Sequence, residues 1–172
     1  AVDSVSSQTI GNITFAQTDG VKSADGDVLI NSEDSLTLRQ QVNAAAADVR
    51  LVADGTISQT TSGFITAASL GVRQESAAGD VLLGAAPNDV DVYSAINLAD
   101  GSLPSGLGAI TFFDADELLI DQVGSQTIGK LVFTASTGID TNAGDINITS
   151  EGDLTVIQNV NAAHNVLTTS ID

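Results

Sequence analysis

The sequence predicts an all-β chain wound as a parallel β-helix, a β-solenoid, and three observations support it. Short β-branched stretches recur behind glycines eight residues apart: Gly55, Gly63, Gly71 and Gly79, with Gly144 and Gly152 repeating the spacing. The whole apolar pattern returns when the chain is slid by 118 positions, which lays Asp121 over Asp3 and Gly144 over Gly26. Small residues gather where tight corners need them, in NAAAAD from Asn43 and SAAGD from Ser76.

The eight-residue beat is carried by GTISQ, GFITA, GDVLL, GDINI and GDLTV, and by GNITF, GAITF and GKLVF elsewhere. Val and Ile at alternate positions suit a pleated, half-buried strand, and the Gly, Asp, Asn and Ser between them suit bends. Each unit reads as one strand and one bend, and three units close one coil. With coils stacked about 4.8 Å apart, a 118-residue period is expected to span about five or six coils, roughly 24–29 Å of axial rise. The alternative is a run of tandem β-sandwich modules of about 100 residues each. The regular beat and the lack of Trp and of a tyrosine corner weigh against it. Residues 85–108, which hold Pro87 and Pro104, break the beat and are read as a loop bulging from one coil.

The long repeat divides the chain into a first copy, residues 1–118, and the start of a second, residues 119–172, continuous with it. About half of the aligned positions between 3/121 and 45/163 are identical, beginning with DSVSSQTIGNITF over DQVGSQTIGKLVF. Many differences are apolar exchanges such as Val28 to Ile146, while charge drifts, as in Lys22 to Asp140 and Arg39 to Ile157. That is how a scaffold repeats. Gln8 with Gln126, Gln40 with Gln158 and Asn43 with Asn161 hold fixed repeat positions, and amide ladders between neighbouring coils are expected there.

Composition removes most chemistry. The 172 residues include no Cys, Met or Trp, one His (His164) and one Tyr (Tyr93), so thiolate catalysis, Cys-ligated zinc and disulfides are excluded. Five Lys and Arg against 22 Asp and Glu give a net charge of -17, which repels a phosphate backbone, so no nucleic-acid partner is expected. No apolar run approaches the roughly 18 residues of a membrane span. The opening residues have neither a basic n-region nor an apolar h-region, and the chain reads as an interior stretch of a longer array. Zero Cys suits an oxidising, secreted setting.

Strings such as LTLRQQVNAAAADVRLVADGTISQ from Leu36 and GFITAASLGVRQESAAGDVLL from Gly63 resemble the repetitive stalks of filamentous-haemagglutinin-like exoproteins, the large Cys-poor adhesins and fibres of bacterial surfaces. The resemblance covers nearly the whole chain and lies in repeat style; the N-terminal secretion domain of such proteins has no counterpart here. It implies a right-handed parallel β-helix, a secreted or cell-surface location, and a role in adhesion or matrix building.

No catalytic constellation is visible, and the chain is read as not an enzyme. The densest carboxylate cluster, FFDADELL, puts Asp114 and Asp116 on one face of a strand, the arrangement a polysaccharide-active β-helix enzyme would need. Its expected role is a solvated acidic edge. No resident cofactor is expected; Ca2+ is the one metal whose oxygen preference the turns could meet, through Asp27, Asp145, Asp114 and Asp116. The plainer reading is that each Asp after Gly bonds a turn amide. The expected function is a structural extracellular fibre or adhesin stalk. Its partners would be neighbouring repeats or identical chains end to end, together with a cell-surface or glycan receptor.

Overall fold

The computed structural model describes residues 1–76, 79–98 and 108–171. Among them every regular element is a strand, and the large sheet pairs in parallel throughout. The strands stack as a β-solenoid of about six turns.

Three columns of paired residues run along its axis. One climbs from Leu36 through Ile57, Val81, Ile110 and Ile146 to Val166. A second climbs from Val28 through Val49, Leu70, Tyr93 and Ile120 to Val156. The third is shorter, from Val21 through Val42 to Ile65. Alternation along each strand sends these side chains inward, where each coil's residues bury against those above and below. Val49, Ile57, Leu70, Val81 and Ile110 are all fully buried. Tyr93 and Phe112 fill the lumen with rings stacked at 4.0 Å and inclined by 12°.

The corner at Asn43 works as the small residues predict. The Asn43 side-chain oxygen accepts the Ala45 N–H at 2.8 Å, holding Ala45 at φ +52°, where a larger side chain would crowd the backbone. In SAAGD, Ala77 and Ala78 lie outside the described residues.

The beat of eight is not the unit of winding. Val28, Val49 and Leu70 are successive partners 21 residues apart, so a regular coil has 21 residues rather than 24. A coil closes on unequal sides, such as Leu36–Leu38, Val42–Asn43 and Asp48–Ala53, and evenly spaced glycines therefore fall at unlike places. Gly55 and Gly63 precede strands, whereas Gly71 lies inside the strand Ile65–Gln74.

The long period also winds less than expected. Four coils separate Leu36 from Ile146, and Val28 sits one side before Leu36, so 118 residues make about four and a third coils, roughly 21 Å of rise. Part of the missing length lies in GKLVF, which does not wind: like GNITF in the hairpin at residues 4–19, it is the return arm of an antiparallel hairpin, at residues 122–137. The fraction of a coil turns the second copy by one side. Val28 lies on one column and its counterpart Ile146 on another. Amides at equivalent repeat positions therefore never stack, and the expected ladders are absent. Gln158 donates instead to Asp121 at 3.2 Å, Asn161 to Asp140 at 2.8 Å, and Gln126 to Asp27. An amide pair does form elsewhere, between buried Gln59 and Asn88 of adjacent coils, at 3.3 and 3.4 Å.

Residues 85–97 are not a loop. They belong to the strand Val81–Asn97, which runs 17 residues around a corner. The register against the next coil shifts between Leu83, opposite Phe112, and Asn88, opposite Asp114, so residues 84–87 bulge against Phe113 alone. A bulge is where a sheet tolerates a residue without an N–H, and Pro87 occupies it. Pro104 lies outside the described residues.

Candidate functional site: a hairpin docked in a sheet notch

The most organised cluster of polar and aromatic side chains lies where the second hairpin folds back on the solenoid. Its arms pair Gln122 with Thr137, Gln126 with Phe133 and Ile128 with Leu131. Gly129 at φ +63° and Lys130 make the two-residue turn, with glycine at the first central position, where a type II′ turn requires positive φ. The hairpin leaves the coil between Leu118–Ile120 and Ile139–Thr141 and lies on the outer surface of the Val28 column.

On that surface the outward column is Leu29, Arg50, Gly71 and Ser94, one residue from each of four successive coils. Phe133 is fully buried there with Val52 and Val123, and Leu29 and Val92 pack at the margin. Gly71 makes the room: a Cβ at this position would stand 2.6 Å from Phe133 Cζ and 2.9 Å from Val123 Cγ1. A glycine inside a strand weakens it, and here the lost side chain is replaced by an aromatic ring from another element.

Arg50 locks the hairpin. Its guanidinium donates to Asp48 at 2.8 Å, to Asp27 at 3.2 Å, to Gln126 Oε1 at 2.9 Å and to the Gly124 carbonyl at 3.0 Å, and it lies 5.8 Å from the Phe133 ring centre. Gln126 returns a hydrogen bond to Asp27. Arg50 is 5% exposed, and a charge so buried is tolerated only when its donors are met in this way.

The Ca2+ candidates are thus separated. Asp27 is engaged by Arg50 and Gln126, and its other oxygen accepts the Asp48 N–H at 3.1 Å. Asp145, its repeat counterpart, accepts the Asn165 N–H and side-chain amide at 2.9 and 3.0 Å, and these bonds hold its carboxyl below the usual range. Asp80, also behind a glycine, accepts the Ala109 N–H at 3.0 Å. In all three the bonded amide belongs to the next coil, not to the Asp's own turn: G-D-V and G-D-I tie coil to coil. Among the described residues, no group of three or more His, Asp or Glu is placed to hold a metal ion.

Asp114 and Asp116 do not form a solvent-facing pair. Asp114 ends the strand Ile110–Asp114 with no exposed surface, while Asp116 stands exposed in the following bend. The Val90 and Asp116 amides donate to Asp114 at 3.3 and 3.4 Å. Burial, with the Asp116 carboxyl adding to it, pushes the Asp114 pKa up to about 8, so the group is neutral at pH 7. Burial likewise pushes the Tyr93 phenol far above its ordinary value, and its hydroxyl has no hydrogen-bond partner. A shallow depression of about 390 Å3 on the outer wall carries Asp91, Glu117 and Asp153. His164 is exposed.

No protein-family model matches the chain, and no curated protein or solved structure matches it.

Nothing in the spacing of the five Lys and Arg marks out Arg50, and the strand-and-bend pattern does not separate the hairpins from the coils. The signal for the hairpins was available. Gly11-Asn12 and Gly129-Lys130 each stand between two apolar runs, the two-residue pattern of a II′ turn.

Proposed function

We propose that this chain is a non-catalytic segment of an extracellular fibre or adhesin stalk, a rod built from tandem β-solenoid repeats of the filamentous-haemagglutinin-like style. The supporting observation is that the columns end in strands paired on one side only. Val28–Ser32 pairs with Asp48–Ala53 alone at one end, and Leu154–Val156, Val160–Ala162 and Val166–Ser170 each have a single neighbour at the other. At that second end Val156, Val166 and Leu167 are 48–58% exposed. An open parallel edge with apolar residues inside it is a template for another coil, and surfaces of this kind are capped or continued in repeat proteins. The charge of -17 keeps rods from sticking side to side while leaving the ends free to meet.

Electron microscopy and sedimentation of the purified chain across a concentration series test this. Rods that lengthen at constant width as concentration rises are expected, and Thr168→Pro, which removes an edge N–H, shortens them. A folded chain that stays monomeric at every concentration, or that depolymerises a polysaccharide, overturns the reading.

A further inference from the structure

We propose that the first hairpin, residues 4–19, is a docking tongue whose receptor is the outer sheet face of another solenoid unit of this repeat, one bearing an acid-flanked arginine and a glycine notch. The proposal rests on the repeat relation between the two hairpins, only one of which has a seat in this chain.

The two hairpins share pairing and turn. Gln8 pairs Phe15 and Ile10 pairs Ile13, as Gln126 pairs Phe133 and Ile128 pairs Leu131, and Gly11 has φ +62° against +63° for Gly129. They also share the docking residues: Val5, Gln8 and Phe15 stand at the positions of Val123, Gln126 and Phe133. Their surroundings differ. Val123 is 2% exposed but Val5 is 58%; Ser136 is buried but its counterpart Thr18 is exposed; and Ile10 and Ile13 are 69% and 77% exposed. Two apolar tip residues, a valine and a glutamine thus project into solvent on a hairpin whose twin buries the same valine position and half-buries the same glutamine position.

The twin shows what covers such a surface. The second hairpin reaches back over the outer surface of coils that precede it in the chain, from Ser94 down to Leu29, with Gln126 between Arg50 and Asp27. The first hairpin leaves its coil at the same repeat position, and no coil of the described residues lies beneath it. The second copy's own outer face does not supply the seat either, because Asn147 replaces Leu29 there and Leu167, opposite it in the next coil, stands where Arg50 is opposite Leu29. The tongue therefore selects a unit that keeps the arginine, its acidic neighbours and the glycine gap, and staples that unit to this one. The contact uses side chains and an outer face, so it is separable from stacking through open strand edges.

The notch of this chain is the available receptor, and two variants use it. In the first, residues 121–138 are exchanged for the sequence of residues 3–20. The grafted hairpin is expected to dock, keeping amide protection at the positions of 126–128 within about tenfold of the parent in hydrogen exchange. Phe→Ala or Gln→Ala at the grafted docking positions removes that protection. In the second, residues 122–137 are replaced by a short Gly-Ser link, which empties the notch. That chain is expected to self-associate beyond the parent, through the first hairpin of one molecule and the notch of the next, and Gln8→Ala or Arg50→Met returns it to the parent's level of association. A graft that exchanges as fast as an unstructured loop overturns the proposal. A link variant that keeps its strand content and associates no more than the parent, or associates more regardless of Gln8 and Arg50, overturns it too. Either failure leaves end-to-end growth of the intact chain unaffected.

Discussion

Asp114→Asn isolates one titration from the rest of an acidic protein. The wild-type carboxyl has an ordinary pKa of 3.8 when the chain is unfolded and about 8 when it is buried at the end of its strand. The folded state therefore holds the proton more tightly, and stability falls as pH rises between those two values. Below pH 3.8 both states are protonated and the group contributes no slope; above 8 both are ionised and the loss is complete. Four units correspond to about 5 kcal/mol as an upper bound, since water entering the opened corner relieves part of it. Asparagine cannot ionise, but its NH2 must face one of the two amides, Val90 or Asp116, that now donate to the carboxyl. That mismatch costs about 1 kcal/mol at pH 4. Urea unfolding of both proteins from pH 4 to 9 is the assay. The variant is expected to be less stable than wild type at pH 4 and more stable at pH 8, with the curves crossing between. Parallel curves would refute a buried, neutral Asp114.

Other changes probe the interior and the charge. Tyr93→Phe removes a buried hydroxyl without a partner and keeps the stack on Phe112, so the midpoint of unfolding should hold or rise by up to ~1 kcal/mol; a clear loss shows that the hydroxyl is bonded. Asn88→Leu strands the Ile65 N–H at 3.0 Å and the Phe113 carbonyl at 2.9 Å and breaks the pair with Gln59, a loss of about 3 kcal/mol by denaturant titration. Gly63→Ala drives a Cβ into the Leu38 carbonyl oxygen, and circular dichroism on heating should show a drop of several degrees, about 2 kcal/mol. Raising salt past about 0.5 M shortens the screening length below the spacing of surface charges, and light scattering should then report side-by-side bundling absent at 10 mM.

The winding was legible because it depends on alternation, and alternation is written directly in strings such as LTL and DVRLVA, whose inward positions are the buried columns. Coil length was not, because unequal sides can add to 21 while glycines keep a spacing of eight. The hairpins were misassigned for a related reason: GKLVF and GDINI look alike as strands, and only the pairing partner separates an arm that returns on itself from one that climbs. Asp114 shows the limit for sites. A D-x-D on a strand implies a shared exposed face, but the strand ends at the first aspartate and the chain bends, burying one carboxyl and exposing the other. Arg50 is distinguished from the other cations only by what folds over it, which no spacing along the chain records.

The central claim is that the repeat adds length along one axis through stacked parallel coils. Small-angle scattering of the chain extended by one further 118-residue copy tests it most directly. The account predicts an increase of roughly 21 Å in maximum dimension with the cross-sectional radius unchanged. Growth of the cross-section, or two independent compact bodies joined by a linker, would contradict it.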